Sequence, residues 1–207
     1  MITESSSLPT KRATPSVPIH ELLAERWSPY SFSARAVTTA DLGALFEAAR
    51  WAASSYNEQP WTYIVAVKAE AKEYERMLSC LVPTNSVWAK AAPVLVLGVV
   101  SLRFAKDGKA NPAAVHDLGL ATASLVVEAT SRGLSVHQMI GIIPERARVL
   151  YRIPEHSEAL TAMAIGYKAS ADELPEGLRE RDLAARQRKP ASQFVFTGQW
   201  GQPFAGA

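Results

Sequence analysis

The 207-residue chain is 48% hydrophobic and 20% charged. That balance excludes disorder as the main state, and the length allows one core that buries about 70% of the unfolded surface without a disulfide or metal. Lys and Arg number 22 against 20 Asp and Glu, a net charge of +2, too even for a protein whose main work is neutralising nucleic-acid phosphates.

Met1–Pro18 is rich in Ser, Thr and Pro and has no apolar h-region, so it reads as a flexible arm rather than a signal peptide. A single domain is expected over residues 19–207. Ile19–Trp27 suits a short helix broken by Ser28-Pro29-Tyr30. Thr38 or Thr39 can cap a second helix, in which Leu42, Leu45, Phe46 and Ala49 repeat at helical spacing up to about Ala53. A polar loop, Ser54–Pro60, leads into a predicted strand over Trp61–Val67. Glu70–Leu81 predicts a helix with Tyr74, Met77, Leu78 and Leu81 on one face, closed by Pro83. Pro93–Val100 is unbroken and apolar, as a strand covered on both faces would be. After a polar connection, Ser101–Pro112, a long helix is expected over Ala113–Arg132, with Gly133 at its C′ position. Strands over Leu134–Met139 and Leu160–Tyr167 flank a helix over Pro144–Tyr151, and Ser192–Thr197 reads as a last short strand. Helices first, then strands and helices mixed, predict an α+β, three-layer arrangement with helices covering a small sheet.

Much chemistry is absent from the sequence. It has no Rossmann or Walker-type glycine pattern and no nucleophile elbow. His20, His116, His137 and His156 are scattered singly, without ligand spacing. The one cysteine, Cys80, excludes an intrachain disulfide and reads as a buried, inert thiol in a reducing compartment. The longest apolar run, Ala91–Val100, is about half a membrane span. A cytoplasmic location, with no membrane and no nucleic-acid partner, is expected. Three polar clusters remain: Arg26-Trp27-Ser28, Ser54–Trp61 and Arg186–Pro190. Singly they suit a helix-end cation, a turn and a solvated face. Together they suit one ligand. Arginine grips phosphate through a planar fork, and Asn and Gln amides read alternating N–H and C=O groups. The residues alone point to a phosphorylated flat heterocycle such as a flavin mononucleotide.

At these stretches the sequence resembles the nitroreductase family of FMN-dependent flavoproteins. The matching segments are RWS (26–28), AARWAASSYNEQPWTYIVA (48–66), HDLGLATASLVVEATSRGL (116–134), AIGY (164–167) and RQRKP (186–190). The resemblance implies an α+β fold, a central, mixed but mostly antiparallel sheet flanked by helices, and an intertwined homodimer with FMN at the subunit interface. It implies that Arg26, Trp27 and Ser28, with Arg186 and Arg188, hold the phosphate and ribityl end. Ser54, Ser55, Asn57 and Gln59 would reach the flavin from the other subunit, with Pro60 holding Gln59 extended. Asn85 would touch the ring edge, and Gln138, Met139, Ile140 and Gly141 would place backbone N–H groups at flavin N5 and O4. Tyr30 stands where a second basic residue is usual, a contact that is either missing or supplied by Arg35. The short 101–112 connection leaves no room for lid helices.

The chemistry implied is hydride transfer from NADH or NADPH through the flavin to a nitroaromatic, quinone or similar small acceptor. The cofactor carries the reaction, so no catalytic side chain is expected. The alternative is a protein that binds or stores FMN without turnover.

Overall fold

The structure, a computed structural model, describes residues 11–206. In chain order the elements are α1 (Glu21–Glu25), α2 (Thr39–Arg50), β1 (Trp61–Val67), α3 (Ala71–Leu78), α4 (Pro83–Ala89), β2 (Val94–Ser101), α5 (Ala114–Ser131), β3 (Ser135–Met139), α6 (Pro144–Tyr151), β4 (Ser157–Gly166) and α7 (Glu176–Leu183). The strands form one sheet of order β1-β2-β4-β3, and every pair is antiparallel.

The central strand explains the layering. Successive side chains on a strand point to opposite faces. Val94 and Val96 meet Leu45 and Ala49 of α2 and Ala121, Leu125 and Ala129 of α5. Leu95 and Leu97 meet Tyr74 and Met77 of α3, Trp88 of α4 and Ala147 of α6. Both faces are covered, which is why β2 is apolar from Val94 to Val100 rather than alternating. Each fully buried Leu or Val contributes about 1.5–3 kcal/mol of transfer free energy.

Helix ends follow local chemistry. Thr38 caps α2 by accepting from the Asp41 N–H at 3.0 Å. Gly133 ends α5 with φ +70, and the Leu134 N–H reaches back to the Ala129 carbonyl, a closure that favours glycine.

Some expectations are corrected. Pro83 does not merely close the preceding helix. It opens α4, where its missing N–H costs nothing in the first turn. Ser192–Thr197 is not a strand. Ala191–Gln193 forms a 3-10 turn, and a single bridge joins Phe196 to Pro203. β4 begins at Ser157, three residues before the expected start, and α7 lies in a stretch where no element was expected. Of the arm expected over 1–18, residues 1–10 lie outside the described residues. Ala13 N–H bonds the Ala24 carbonyl of α1, and Lys11 Nζ bonds the Arg181 carbonyl of α7.

Candidate functional site

The sequence-predicted residues form three groups. The first is cationic. Arg26 follows α1 and donates to Ser28 Oγ at 3.1 Å. Arg186 and Arg188 follow α7, close enough for their charges to act on Arg26. Burial, then repulsion from these two, holds the Arg26 guanidinium below its ordinary pKa, and Arg186 is lowered likewise by burial and by Arg188. Arg186 donates to the carbonyls of Lys11 and Ala24, and Arg188 to that of Gln187. Among the described residues none of the three joins an ion pair. Glu25 and Asp182 border the region but pair with none of the three, and neighbouring cations left without an ion-pair partner favour binding an anion. Trp27 borders the same region, with Lys11 Nζ lying 4.8 Å from its ring centroid. Arg35 stacks on Tyr167 at 3.8 Å and already has a partner there. Tyr30 packs on Trp88 and His137.

The second group is the end of β3. Gln138 and Ile140 are exposed, whereas Met139 is buried. The Gly141 carbonyl accepts from Asn85 Nδ2 (3.0 Å) and from the Val82 N–H (3.1 Å). A Cβ at Gly141 would lie 2.3 Å from Asn85 Nδ2 and 2.9 Å from Val82 Cγ2. A larger residue would have to displace Asn85 from the Gly141 carbonyl, so close approach favours glycine, and α4, the helix not foreseen, is what brings Asn85 there.

The third group is the loop before β1. Tyr56, Asn57 and Gln59 all have left-handed backbones, with φ of 54, 57 and 51. This corrects the extended shape expected of Gln59. Asn tolerates this region, but Tyr and Gln do not, and such residues cost about 1–3 kcal/mol each unless their surroundings impose the conformation. Here the surroundings do so. Ser55 N–H donates to Asp117 Oδ2 at 2.9 Å, Gln59 N–H to Ser54 Oγ at 3.0 Å, and Ala105 N–H to Glu58 Oε1 at 2.6 Å. Gln59 Nε2 bonds the Asn57 carbonyl. Tyr56, 91% exposed, touches Phe104 edge-on.

The sheet separates the first and third groups. Trp61 pairs with Val100 at the finish of β2, on the β1 edge. Arg26 lies beside Gly133–Ser135, where β3 starts opposite Gly166 at the far end of β4. Three strand spacings and six or seven residues put them about 14 Å apart across and about 20 Å along the sheet. Among the described residues no hydrogen bond or ion pair joins the two groups.

The comparisons agree with this architecture. The sequence profile of the nitroreductase family matches residues 23–167. The chain belongs to the nitroreductase family. A solved structure of an oxidoreductase containing FMN is 28% identical and superposes with a TM-score of 0.87, over 95% of this chain and 99% of that one. A nitroreductase family protein from Clostridium difficile 630 is 22% identical with a TM-score of 0.65 (86% and 96% covered) and supports the fold alone. A 15.4 kDa protein from the ask 5′ region of Mycolicibacterium smegmatis is 33% identical over 133 residues, 64% of this chain and 88% of its own length. Among the described residues no helix is long and apolar enough to cross a membrane, and no group of His, Cys, Asp and Glu has a metal-binding arrangement.

Two further residues of this nitroreductase homologue, neither a candidate from the sequence, contact these groups. Asp117, 2% exposed, holds the strained loop. Its signal was a carboxylate in the apolar register of α5, between Ala114 and Ala121. His137 is the other, and as a lone histidine it carried no signal of its own. Cys80 is buried as expected, and burial pushes its thiol up.

Proposed function

We propose that the protein is an FMN-dependent oxidoreductase that works as a homodimer, accepting hydride from NADH or NADPH and passing it to a small nitroaromatic, quinone or related acceptor. The observation that carries this reading is the arginine cluster Arg26–Arg186–Arg188 beside Ser28, which joins no ion pair among the described residues and suits a phosphate monoester. The FMN-containing relative, alike over nearly its whole length, supports the choice of flavin.

Within this reading Arg26, Ser28, Arg186 and Arg188 bind the phosphate. The Gln138–Gly141 segment, fixed by Asn85, offers backbone N–H groups to the ring. The Ser54–Gln59 loop is too far from the arginines to close on the same ligand, so a second copy supplies it. When bound, flavin supplies reversible hydride transfer. The chain's own residues bind and orient the ligand and neutralise its phosphate. The loop is stiff enough for recognition because Asp117 and Glu58 hold it before any ligand arrives.

The test is direct. The purified protein should be yellow, release one FMN per chain and scatter light as a dimer. Anaerobic NADH or NADPH should bleach the flavin within seconds, and an added quinone should restore it. A colourless protein that does not bind FMN refutes the reading, a stable monomer with FMN bound refutes the shared site, and a yellow protein that neither pyridine nucleotide bleaches favours binding without turnover.

A further inference from the structure

His137 stands on β3 immediately before Gln138, and its ring lies in a cage. Tyr30 is 4.7 Å and Trp88 4.4 Å away between ring centroids, and Tyr30 and Trp88 meet edge-on at 5.2 Å. Its Nδ1 lies 2.9 Å from the Pro29 carbonyl oxygen. A carbonyl only accepts, so Nδ1 carries the proton. Pro29 is fully buried and directly follows Ser28. The next backbone N–H, that of Tyr30, donates to Asp182 Oδ1 at 2.6 Å. The chain leaving the arginine–serine segment is thus pinned at two consecutive groups, once by β3 and once by α7.

Building on the flavin reading, we propose that His137 is a positioning residue of the cradle. Its one hydrogen bond ties the strand carrying Gln138–Gly141 to the segment carrying Arg26 and Ser28, and so fixes the separation between the ring end and the phosphate end of one ligand. The geometry is suited to this. The bond joins the two groups of the site that a single chain supplies, and neither partner is free to swing: proline fixes its own φ, and the imidazole is caged by two rings. The charged groups facing His137 are Arg26, which opposes a positive imidazole, and Asp182 on α7, which favours it. Burial outweighs the rest and pushes its pKa down, so the neutral Nδ1–H form prevails near neutral pH.

A tether between phosphate and ring acts only on a ligand that has both. The probes are therefore FMN and riboflavin, which lacks the phosphate, titrated into the full-length protein and followed by flavin fluorescence. His137→Leu keeps an apolar filling in the cage and removes the donor. It should cut the preference for FMN over riboflavin about tenfold or more, with riboflavin affinity within about twofold of the wild type. His137→Asn, whose amide can donate from nearly the Nδ1 position, should restore most of the preference. Equal weakening of both ligands, or an unchanged FMN affinity in His137→Leu, overturns the inference while leaving the flavin reading intact. A wild-type protein that binds neither flavin overturns both. Should His137→Leu fail to fold, 15N-histidine spectra of the wild type decide. An Nδ1–H tautomer whose signals shift on adding FMN supports the tether, and an Nε2–H tautomer overturns it.

Discussion

Asp117→Ala tests whether the loop before β1 is held from outside. Asp117 is 2% exposed, and its Oδ2 takes the Ser55 N–H at 2.9 Å while Oδ1 lies 3.1 Å from His116 Nδ1. Removing the carboxylate leaves the Ser55 N–H without its acceptor and opens a polar void under the loop. A hydrogen bond to a charged group contributes about 1.5–3 kcal/mol. For a domain of this size, each kcal/mol moves Tm by roughly 2–4 °C, so the apoprotein should melt roughly 3–12 °C lower. The anchor is matched against strain of similar size. Tyr56 and Gln59 are bulky residues held left-handed at about 1–3 kcal/mol each. Once it is lost, the loop should relax towards ordinary backbone and FMN affinity should fall by more than the stability change alone requires. Asp117→Asn keeps an oxygen for Ser55 and should recover most of both. The assays are apoprotein melting by circular dichroism and FMN titration. A melting temperature within about 1 °C of wild type in Asp117→Ala would show that Ser55 and its neighbours hold their conformation unaided, and the anchoring argument would fail.

Arg26→Ala should weaken FMN about ten- to a hundredfold, the loss of one charge-assisted phosphate contact, without changing the bound flavin's spectrum; unchanged affinity by calorimetry would remove Arg26 from the site. Gly141→Ala should destabilise by about 1–3 kcal/mol, because the new Cβ meets Asn85 and Val82 well inside contact distance; chemical denaturation measures it, and a neutral result contradicts the packing described. Asn57→Asp should leave apoprotein melting nearly unchanged, since both residues tolerate φ near +57, yet bind FMN more weakly through the lost amide donors; equal affinity would return Asn57 to a turn-forming role. Burial raises the folded-state pKa of Asp182 above its ordinary 3.8. The folded state therefore holds this proton longer than the unfolded chain does, and the group's contribution to stability falls as pH rises from about 3.8 through the folded value. Asp182→Asn keeps an acceptor for Tyr30 and should flatten that part of the Tm–pH curve; identical curves would show that the carboxyl titrates normally.

What the sequence made legible was whatever a short window decides. The apolar run of β2, the capped start of α2 and the glycine closing α5 each carry their cause within a few residues, and each is found at its expected place. Long-range partners decide the rest. Pro83 is a helix breaker and equally a helix opener, and only the return of the chain at Gly141 shows why a helix starts there to deliver Asn85. The α7 segment EGLRERDL has no apolar stripe, so its periodicity is silent. It is docked through Asp182, which accepts from Tyr30, and through Leu178, packed against the core. SQFVFT has a strand's composition but no sheet edge beside it, and Phe196 packs on Trp200 instead, at 5.4 Å.

The same division runs through the candidate site. Arginine near serine, and Asn and Gln before a strand, are chemical types that sequence can point to. Whether they serve one ligand depends on the strand order. With order β1-β2-β4-β3, the strand following the loop and the strand beside Arg26 occupy opposite edges, and the antiparallel register sets their relevant ends at opposite ends of the sheet. Topology therefore does to the site what composition could not: it divides a set of residues suited to one ligand between two places that a single chain cannot bring together. Three of the four positive-φ residues other than glycine among the described residues lie in the loop before β1. Three left-handed residues in four positions are maintained by Asp117 of α5, which accepts from Ser55, and by the loop's own Glu58, which accepts from Ala105 of the connection after β2. A loop that only linked α2 to β1 would have no need of two carboxylates to keep it in an unfavourable shape.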